Sequence, residues 1–136
     1  MLVVLDTNVL LSALRTDTSP PAAILNAWSA GAFQLVTSIE QIDEFKRAAR
    51  YPKLRTVLPR GAVGRVVNQL RAAEVLLDRL RRAGGSPDPG DDYLLAMAAA
   101  AEADYLVTGD RALLSLNRVA ETRIVTPRRF AAILAR

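Results

Sequence analysis

Short, largely apolar segments separated by helical patterns constrain the fold of this chain most strongly. Such segments occur at residues 2–5, 33–37, 105–108 and 123–126. Apolar runs of this length are typical of strands buried on both faces. Strands that alternate with helices predict an α/β fold, in which helices cover a central parallel sheet of about four to five strands.

Helical spacing predicts the elements between these strands. Ser38 followed by Gln41 forms a capping-box pattern, which predicts the start of a helix. Apolar residues at helical spacing predict one long helix over residues 60–83. The nearly all-apolar segment 93–102 predicts a central helix, and Pro127 predicts the start of the last one.

The composition limits the chemistry that the chain can carry. It has 136 residues, which fits a single domain over residues 1–136, and it contains no cysteine and no histidine. Their absence excludes disulfides, thiolate or imidazole metal sites, and a Ser-His-Asp triad. Catalysis must therefore use carboxylates, lysine, hydroxyls or a metal ion held by oxygen ligands.

No segment is typical of a membrane span or an export signal. The longest apolar run, residues 93–101, is about half as long as a membrane-spanning helix. The N-terminus passes directly into an apolar segment without a basic stretch. We therefore expect a cytoplasmic protein with no membrane partner.

The net charge of +4 conceals an uneven distribution of charge. Residues 46–82 contain eleven basic side chains and only two acidic ones. Such a segment is typical of a surface that binds a polyanion, and equally of a solvated basic helix face. The candidates for contacts to a polyanion are Lys46, Arg47, Arg50 and Lys53.

Two of the predicted strands end in an acidic turn. Asp6 follows the strand at 2–5, and Asp110 follows the strand at 105–108. Because ligands of open α/β sheets bind beyond the carboxyl ends of the strands, both carboxylates point toward one crevice if their strands are neighbours. An aspartate in this position is also a common N-cap, although Asp6 needs a polar partner near the core.

The predicted helices supply further carboxylates. Glu40 and Glu44 lie one turn apart after the second strand, and Asp92 or Asp91 begins the helix before the third. Crowded carboxylates are unfavourable unless a divalent cation neutralises them, and oxygen ligands suit Mg²⁺ or Mn²⁺. Beside a basic surface, the expected substrate is a phosphodiester. Taken singly, the same residues are explained as helix caps or as a solvated helix face, and periodicity does not decide.

Several motifs along nearly the whole chain carry a family resemblance. They read VVLDTNVLLSAL (3–14), TSIEQIDEF (37–45) with RYPKL (50–54), DPGDDYLLAMA (88–98), YLVTGD (105–110) and TPRRF (126–130). In this order they resemble the motifs of PIN domains, in particular the VapC-type ribonucleases that serve as toxins of toxin–antitoxin systems. The resemblance implies a PIN-like α/β/α sandwich.

The resemblance also implies an activity, which is cleavage of RNA by a metal-activated water with Mg²⁺ or Mn²⁺ as cofactor. The acidic set of the family corresponds here to Asp6, Glu44, Asp92 and Asp110. Supporting polar groups are expected at Thr7, Asn8, Asp91 and Thr108. The family pattern favours Glu44 over Glu40 and Asp92 over Asp91. It also implies a homodimer and a small antitoxin protein that covers the site.

Two other interpretations fit parts of the sequence. A haloacid-dehalogenase-like phosphatase begins with a similar strand, but its Asp-x-Asp pattern is broken here by Asn8. The only lysines, Lys46 and Lys53, do not fit the lysine that such an enzyme needs downstream. A non-catalytic module that binds RNA or a protein partner predicts salt-sensitive RNA binding without metal dependence.

Overall fold

The structure, a computed structural model, describes residues 1–78 and 92–136, except for the side chain of Asp92. In chain order its elements are β1 (Leu2–Leu5), α1 (Thr7–Ala13), α2 (Pro20–Ser29), β2 (Gln34–Ser38), α3 (Ile39–Ala49), α4 (Pro52–Arg55), α5 (Ala62–Arg71), β3 (Val75–Leu77), α6 (Asp92–Ala101), β4 (Tyr105–Val107), α7 (Arg111–Leu114), β5 (Arg118–Val119), β6 (Thr122–Val125) and α8 (Pro127–Leu134).

A six-stranded sheet in the order β3-β2-β1-β4-β6-β5 forms the centre of the fold. The strands from β3 to β6 pair in parallel, and only β5 runs antiparallel at one edge. β1 lies between β2 and β4, with Val3 opposite Leu35 on one side and Tyr105 on the other. The predicted parallel α/β sheet is confirmed, and β3 and β5 are additions to the strands that the sequence predicted.

Helices cover both faces of the sheet, as the alternation of side chains along β1 requires. Val3 and Leu5 face a core cluster shared with α1, α2, α3, α5 and α8. Val4, between them, faces a second cluster shared with α6 and α7. The result is an α/β/α sandwich with the middle of β1 fully buried. None of the helices in the described ranges is long and apolar enough to cross a bilayer.

The order of the strands creates a crevice at the carboxyl ends of β1 and β4. From β1 the chain proceeds to β2 and β3 on one side, and it returns to β4 on the other side of β1. The helix that follows β1 packs on one face of the sheet, and the helix that follows β4 packs on the other. Such a topological switch point is where open α/β sheets bind ligands.

The prediction of one continuous helix over residues 60–83 is wrong at residues 72–78. α5 ends at Arg71, and β3 then pairs with the open edge of β2. The Glu74 carboxylate fastens this segment, since its Oε1 accepts hydrogen bonds from the Leu35 backbone N–H (3.0 Å) and from Trp28 Nε1 (2.8 Å). Tertiary pairing therefore overrides local helical spacing here. Residues 79–83 lie outside the described part of the chain.

The short strand β5 was also not predicted. It has only two residues and forms a hairpin with β6. Asn117 and Ala120 flank it with left-handed φ angles of 57° and 51°. Asparagine adopts this conformation readily, but alanine in the turn between β5 and β6 does not, so the turn itself carries no clear signal in the sequence.

Candidate active site

Asp6 stands at the carboxyl end of the central strand. Its backbone N–H donates to Val107 O (2.9 Å), which extends the pairing of β1 with β4 to this residue. Its side chain turns toward α1, where Oδ1 accepts from the Asn8 backbone N–H (3.2 Å) and so caps the helix. Only 6% of Asp6 is exposed. The residue is therefore both a helix cap and a buried carboxylate in the crevice.

Thr108 joins Asp6 to the second strand-end aspartate. The buried Thr108 hydroxyl donates to Asp6 Oδ2 (2.7 Å) and accepts from the Asp110 backbone N–H (3.0 Å). Asp110 in turn caps α7, because its Oδ1 accepts from the backbone N–H groups of Ala112 (2.7 Å) and Leu113 (3.2 Å). We call Asp6, Thr108 and Asp110 the carboxylate crevice.

Electrostatics in the carboxylate crevice disfavour the ionised form of Asp6. Burial is the largest cause that raises its pKa, and the nearby charge of Asp110 raises it further. The hydrogen bonds from Thr108 and Asn8 act in the opposite direction without cancelling the effect. The two aspartates are thus close enough for each to feel the other's charge.

Glu44 and Tyr93 meet beside the crevice at Thr7. The Thr7 hydroxyl donates to Glu44 Oε2 at 3.5 Å and lies 2.9 Å from the Tyr93 hydroxyl. Burial raises the pKa of Tyr93, as does its hydrogen bond to Glu44, so the phenol stays protonated and can donate. Sequence reasoning missed Tyr93, although its position directly after Asp92 was an available signal.

Gln41 supports the carboxyl end of β1, next to the crevice. It is buried, its Nε2 donates to Leu5 O (2.5 Å), and its Oε1 accepts from the Thr37 hydroxyl (2.6 Å). The predicted capping box at Ser38 is therefore only half formed. The Gln41 backbone N–H donates to Ser38 Oγ (3.0 Å), but the Gln41 side chain is engaged elsewhere.

A cleft of about 470 Å³ opens next to these residues. We call it the glutamate cleft, and it is lined by Asn8, Glu40, Glu44, Arg47, Ala48, Tyr51 and Tyr93. Glu40 and Glu44 share it, as expected for residues one helical turn apart. Tyr51 is 65% exposed at its rim.

The four basic residues predicted to contact a polyanion do not lie together. Arg47 shares the glutamate cleft, whereas Lys46 and Arg50 line a separate cleft against α5. Lys53 lines a third cleft with Tyr51 near the end of α1. Lys46 is also 3.9 Å from Asp43 in an ion pair. Arg47 is thus the basic residue of this set that stands beside a predicted ligand.

The remaining predicted ligands fall partly outside the structure. Asp91 lies outside the described residues, and Asp92 begins α6 with its side chain undescribed. Among the side chains that are described, no group of three or more acidic residues is arranged to hold a metal ion. Of the four predicted carboxylates, the structure therefore joins Asp6 and Asp110 through Thr108. Glu44 contacts Thr7, the residue next to Asp6.

The described residues nevertheless fit a divalent cation. Asp6 and Asp110 provide hard oxygen donors, and no basic side chain within residues 1–78 or 92–136 offsets the charge of Asp6. Burial of Asp6 and repulsion between the two carboxylates raise the free energy of the ionised pair, and a bound cation would lower it. Glu44 stands close enough to Thr7 to hold an outer ligand in place.

Comparison with known families agrees with this geometry. The PIN domain model matches residues 2–112, a stretch that includes Asp6, Glu44, Asp92 and Asp110. The chain belongs to the PIN domain family, and the predicted PIN-like α/β/α fold is confirmed. PIN domains are generally nucleases and typically use divalent metals. No curated protein matches the sequence.

Proposed function

We propose that this protein is a metal-dependent endoribonuclease that uses Mg²⁺ or Mn²⁺. One observation carries the proposal: Thr108 joins the two strand-end aspartates, Asp6 and Asp110, at the topological switch point of the sheet. Asp6, Asp110 and, by family resemblance, Asp92 would hold the metal, with Glu44 as the fourth acid. A metal bound there would supply an activated water and stabilise charge on a phosphoryl oxygen.

The protein's own residues position the reactants. Thr108 and the Asn8 backbone fix the orientation of the Asp6 carboxylate, and the backbone of α7 fixes Asp110. Tyr93 remains protonated beside Glu44, so its hydroxyl can donate to Glu44 or to a phosphate oxygen in the glutamate cleft. With no histidine in the chain, proton transfer falls to the carboxylates and water.

RNA is the substrate that the rim of the glutamate cleft supports best. Arg47 offers a guanidinium for a phosphate, and the exposed ring of Tyr51 offers a face on which a base can stack. An extended strand with unstacked bases uses both groups at once. Such a rim fits single-stranded RNA better than a small phosphate ester.

A role as the toxin of a toxin–antitoxin pair extends this proposal. It rests on the resemblance to VapC-type ribonucleases and on the third cleft, of about 620 Å³, beside Tyr51 and Lys53. Arg15 and Leu54 also line this cleft, so it combines basic and apolar groups. That combination fits an acidic, amphipathic segment of a small antitoxin protein. A homodimer is part of the same proposal.

The decisive experiment measures cleavage of labelled RNA with Mn²⁺, with Mg²⁺ and with a chelator. Asp6→Asn is compared with Asp104→Asn, whose carboxylate accepts from the Leu2 N–H (2.8 Å) at the opposite end of the sheet. We expect cleavage that needs the metal, is lost in Asp6→Asn and is retained in Asp104→Asn. Mn²⁺ binding, measured by titration calorimetry, should weaken in Asp6→Asn and be retained in Asp104→Asn.

Three outcomes would contradict the proposal. Salt-sensitive RNA binding without cleavage, in folded protein supplied with metal, would favour a non-catalytic binding module. Capture of an acyl-phosphate on Asp6 from a phosphate monoester would favour a phosphatase-like enzyme. Cleavage that survives in Asp6→Asn at the wild-type rate would point to a contaminating nuclease.

A further inference from the structure

A basic groove lies between α8 and the β5–β6 hairpin, at the edge of the sheet. Its volume is about 280 Å³, and four of its lining residues are arginines. We call it the arginine groove, and these four residues are Arg118, Arg123, Arg129 and Arg136. The family match ends at residue 112, so all four arginines lie in a part of the chain beyond it.

The fold aligns these arginines although they are spread along the sequence. Arg129 and Ile133 lie one turn apart on α8, and Arg136 follows just beyond the end of the helix on the same groove. Arg123 points to the same side of the sheet, because the next residue, Ile124, packs into the cluster on the opposite face. Arg118 stands directly opposite Arg123 in the hairpin register.

Most of this positive charge has no acidic partner in the described structure. Arg118 pairs with Glu121 at 3.1 Å, and both side chains are more than half exposed. Arg123, Arg129 and Arg136 make no ion pair with any residue of 1–78 or 92–136. Residues 117–136 contain five arginines and one acid. Guanidinium groups gathered in this way repel one another unless an anion lies between them.

We propose that the arginine groove binds the sugar-phosphate backbone of the RNA, away from the candidate active site. This inference rests on the proposed ribonuclease function. Four guanidinium groups around one groove suit successive phosphates of a strand, and polar Asn117 adds a donor for the backbone. Most of the surface that the groove exposes is polar, whereas an acidic peptide would need an apolar surface for its anchors.

The direction of α8 relates the groove to the carboxylate crevice. α8 begins after β6, whose last residue, Val125, accepts a hydrogen bond from the Thr108 backbone N–H (2.9 Å). The helix therefore starts at the carboxyl ends of the strands, where the crevice lies. It runs about 12 Å toward their amino ends. An RNA strand that leaves the crevice can continue along the arginine groove, so the groove would favour long RNA over short RNA.

The test uses the intact chain in a chelator, where RNA binds without being cut. The probe is a labelled polyuridine of about 20 nucleotides, a length that spans several phosphate contacts, and binding is read by fluorescence anisotropy across a salt series. Arg129→Ala is compared with Arg128→Ala, an exposed neighbour outside the groove lining. Arg123→Ala with Arg129→Ala forms the stronger variant.

We expect Arg129→Ala to weaken binding about three- to tenfold, and the double variant by more than tenfold. The slope of log K against log salt should fall by roughly 0.7 for each phosphate that the variant no longer neutralises. Arg128→Ala should bind almost as the wild type does. With metal added, Arg129→Ala should raise KM for the long RNA more than KM for a hexanucleotide, while Arg128→Ala should stay close to the wild type on both.

Several results would overturn the inference. Equal loss of affinity in Arg128→Ala would mean that only total charge matters. Unchanged RNA binding, together with capture of polyglutamate that depends on Arg129, would assign the groove to an acidic protein. If no variant and no wild type cleaves RNA, yet Arg129→Ala binds it more weakly, the groove stands and the proposed nuclease activity falls.

Discussion

The carboxylate crevice and the arginine groove are charged regions of opposite sign, and the fold treats them differently. In the crevice, Asp6 and Asp110 lie against central strands and are held by backbone N–H groups and the Thr108 hydroxyl. In the groove, Arg123 and Arg129 stand exposed beside a two-residue edge strand. Burial makes charge unfavourable and position precise, whereas exposure keeps charge solvated and adaptable. Such a contrast fits the proposed chemistry at the crevice and the proposed polyanion binding at the groove.

The largest effect that tests this contrast is expected for Asp110→Asn. Asparagine keeps the helix cap but removes the negatively charged oxygen that would bind the metal. The fold should therefore survive while metal binding is weakened. We expect kcat on a short RNA to fall about 100-fold or more, which corresponds to roughly 3 kcal/mol of transition-state stabilisation. Steady-state kinetics beside Arg129→Ala, which should keep kcat, provide the measurement. A variant that retains most of its kcat would show that Asp110 only caps α7.

A smaller effect is expected from Thr108→Val, with Thr108→Ser as its matched control. Valine keeps the volume but leaves the Asp110 N–H and an Asp6 oxygen without their partner in a buried place, at a cost of about 1–3 kcal/mol. Urea unfolding should show this loss, and kcat should fall about tenfold as Asp6 loses its orientation. Serine should restore most of both. If the two variants behaved alike, the Thr108 hydroxyl would not be what stabilises the fold and orients Asp6.

The smallest effect concerns the pH dependence of stability in the metal-free protein. Because the Asp6 pKa is raised in the fold, the folded state binds its proton more tightly than the unfolded chain does. The stability that this proton contributes is fully present below the pKa of the unfolded chain, near 4, and it is lost as pH rises through the raised pKa of the folded state. Asp6→Asn should therefore gain melting temperature relative to the wild type at neutral pH, and the gain should shrink toward pH 4.

Thermal melts in a chelator, from pH 4 to 8, measure this difference. Added Mn²⁺ should stabilise the wild type and narrow the gap. If Asp6→Asn were instead destabilised most at neutral pH, the ionised carboxylate would be a structural anchor and not a strained metal ligand.

What the sequence predicted correctly depends on local patterns. Asp6 directly follows an apolar segment, and Asp110 follows one after Thr108 and Gly109, so the place of each at the end of a strand can be deduced from a few neighbouring residues. The interpretation of Asp6 as a cap and its interpretation as a crevice carboxylate also proved compatible, because one carboxylate faces both α1 and β4. Its role as a metal ligand stays a prediction.

What the sequence did not predict depends on distant contacts. Tyr93 reaches Thr7 across 86 positions, and Gln41 reaches Leu5 across 36. β3 requires the open edge of β2, and helical spacing in α5 gives no sign of that partner. The arginine groove needs the β5–β6 hairpin to place Arg118 and Arg123 beside α8. In each case the partner is fixed by topology and not by spacing.

The bond from the Asp6 N–H to Val107 O has a consequence for how the protein loses its activity. This amide belongs to the ladder between β1 and β4, whose residues are among the most buried of the molecule. Its exchange with solvent deuterium should therefore require global opening, at a rate similar to that of the core amides. The crevice and the fold would then disappear together on heating, whereas the amides of the short β5 hairpin would exchange much earlier by local fraying.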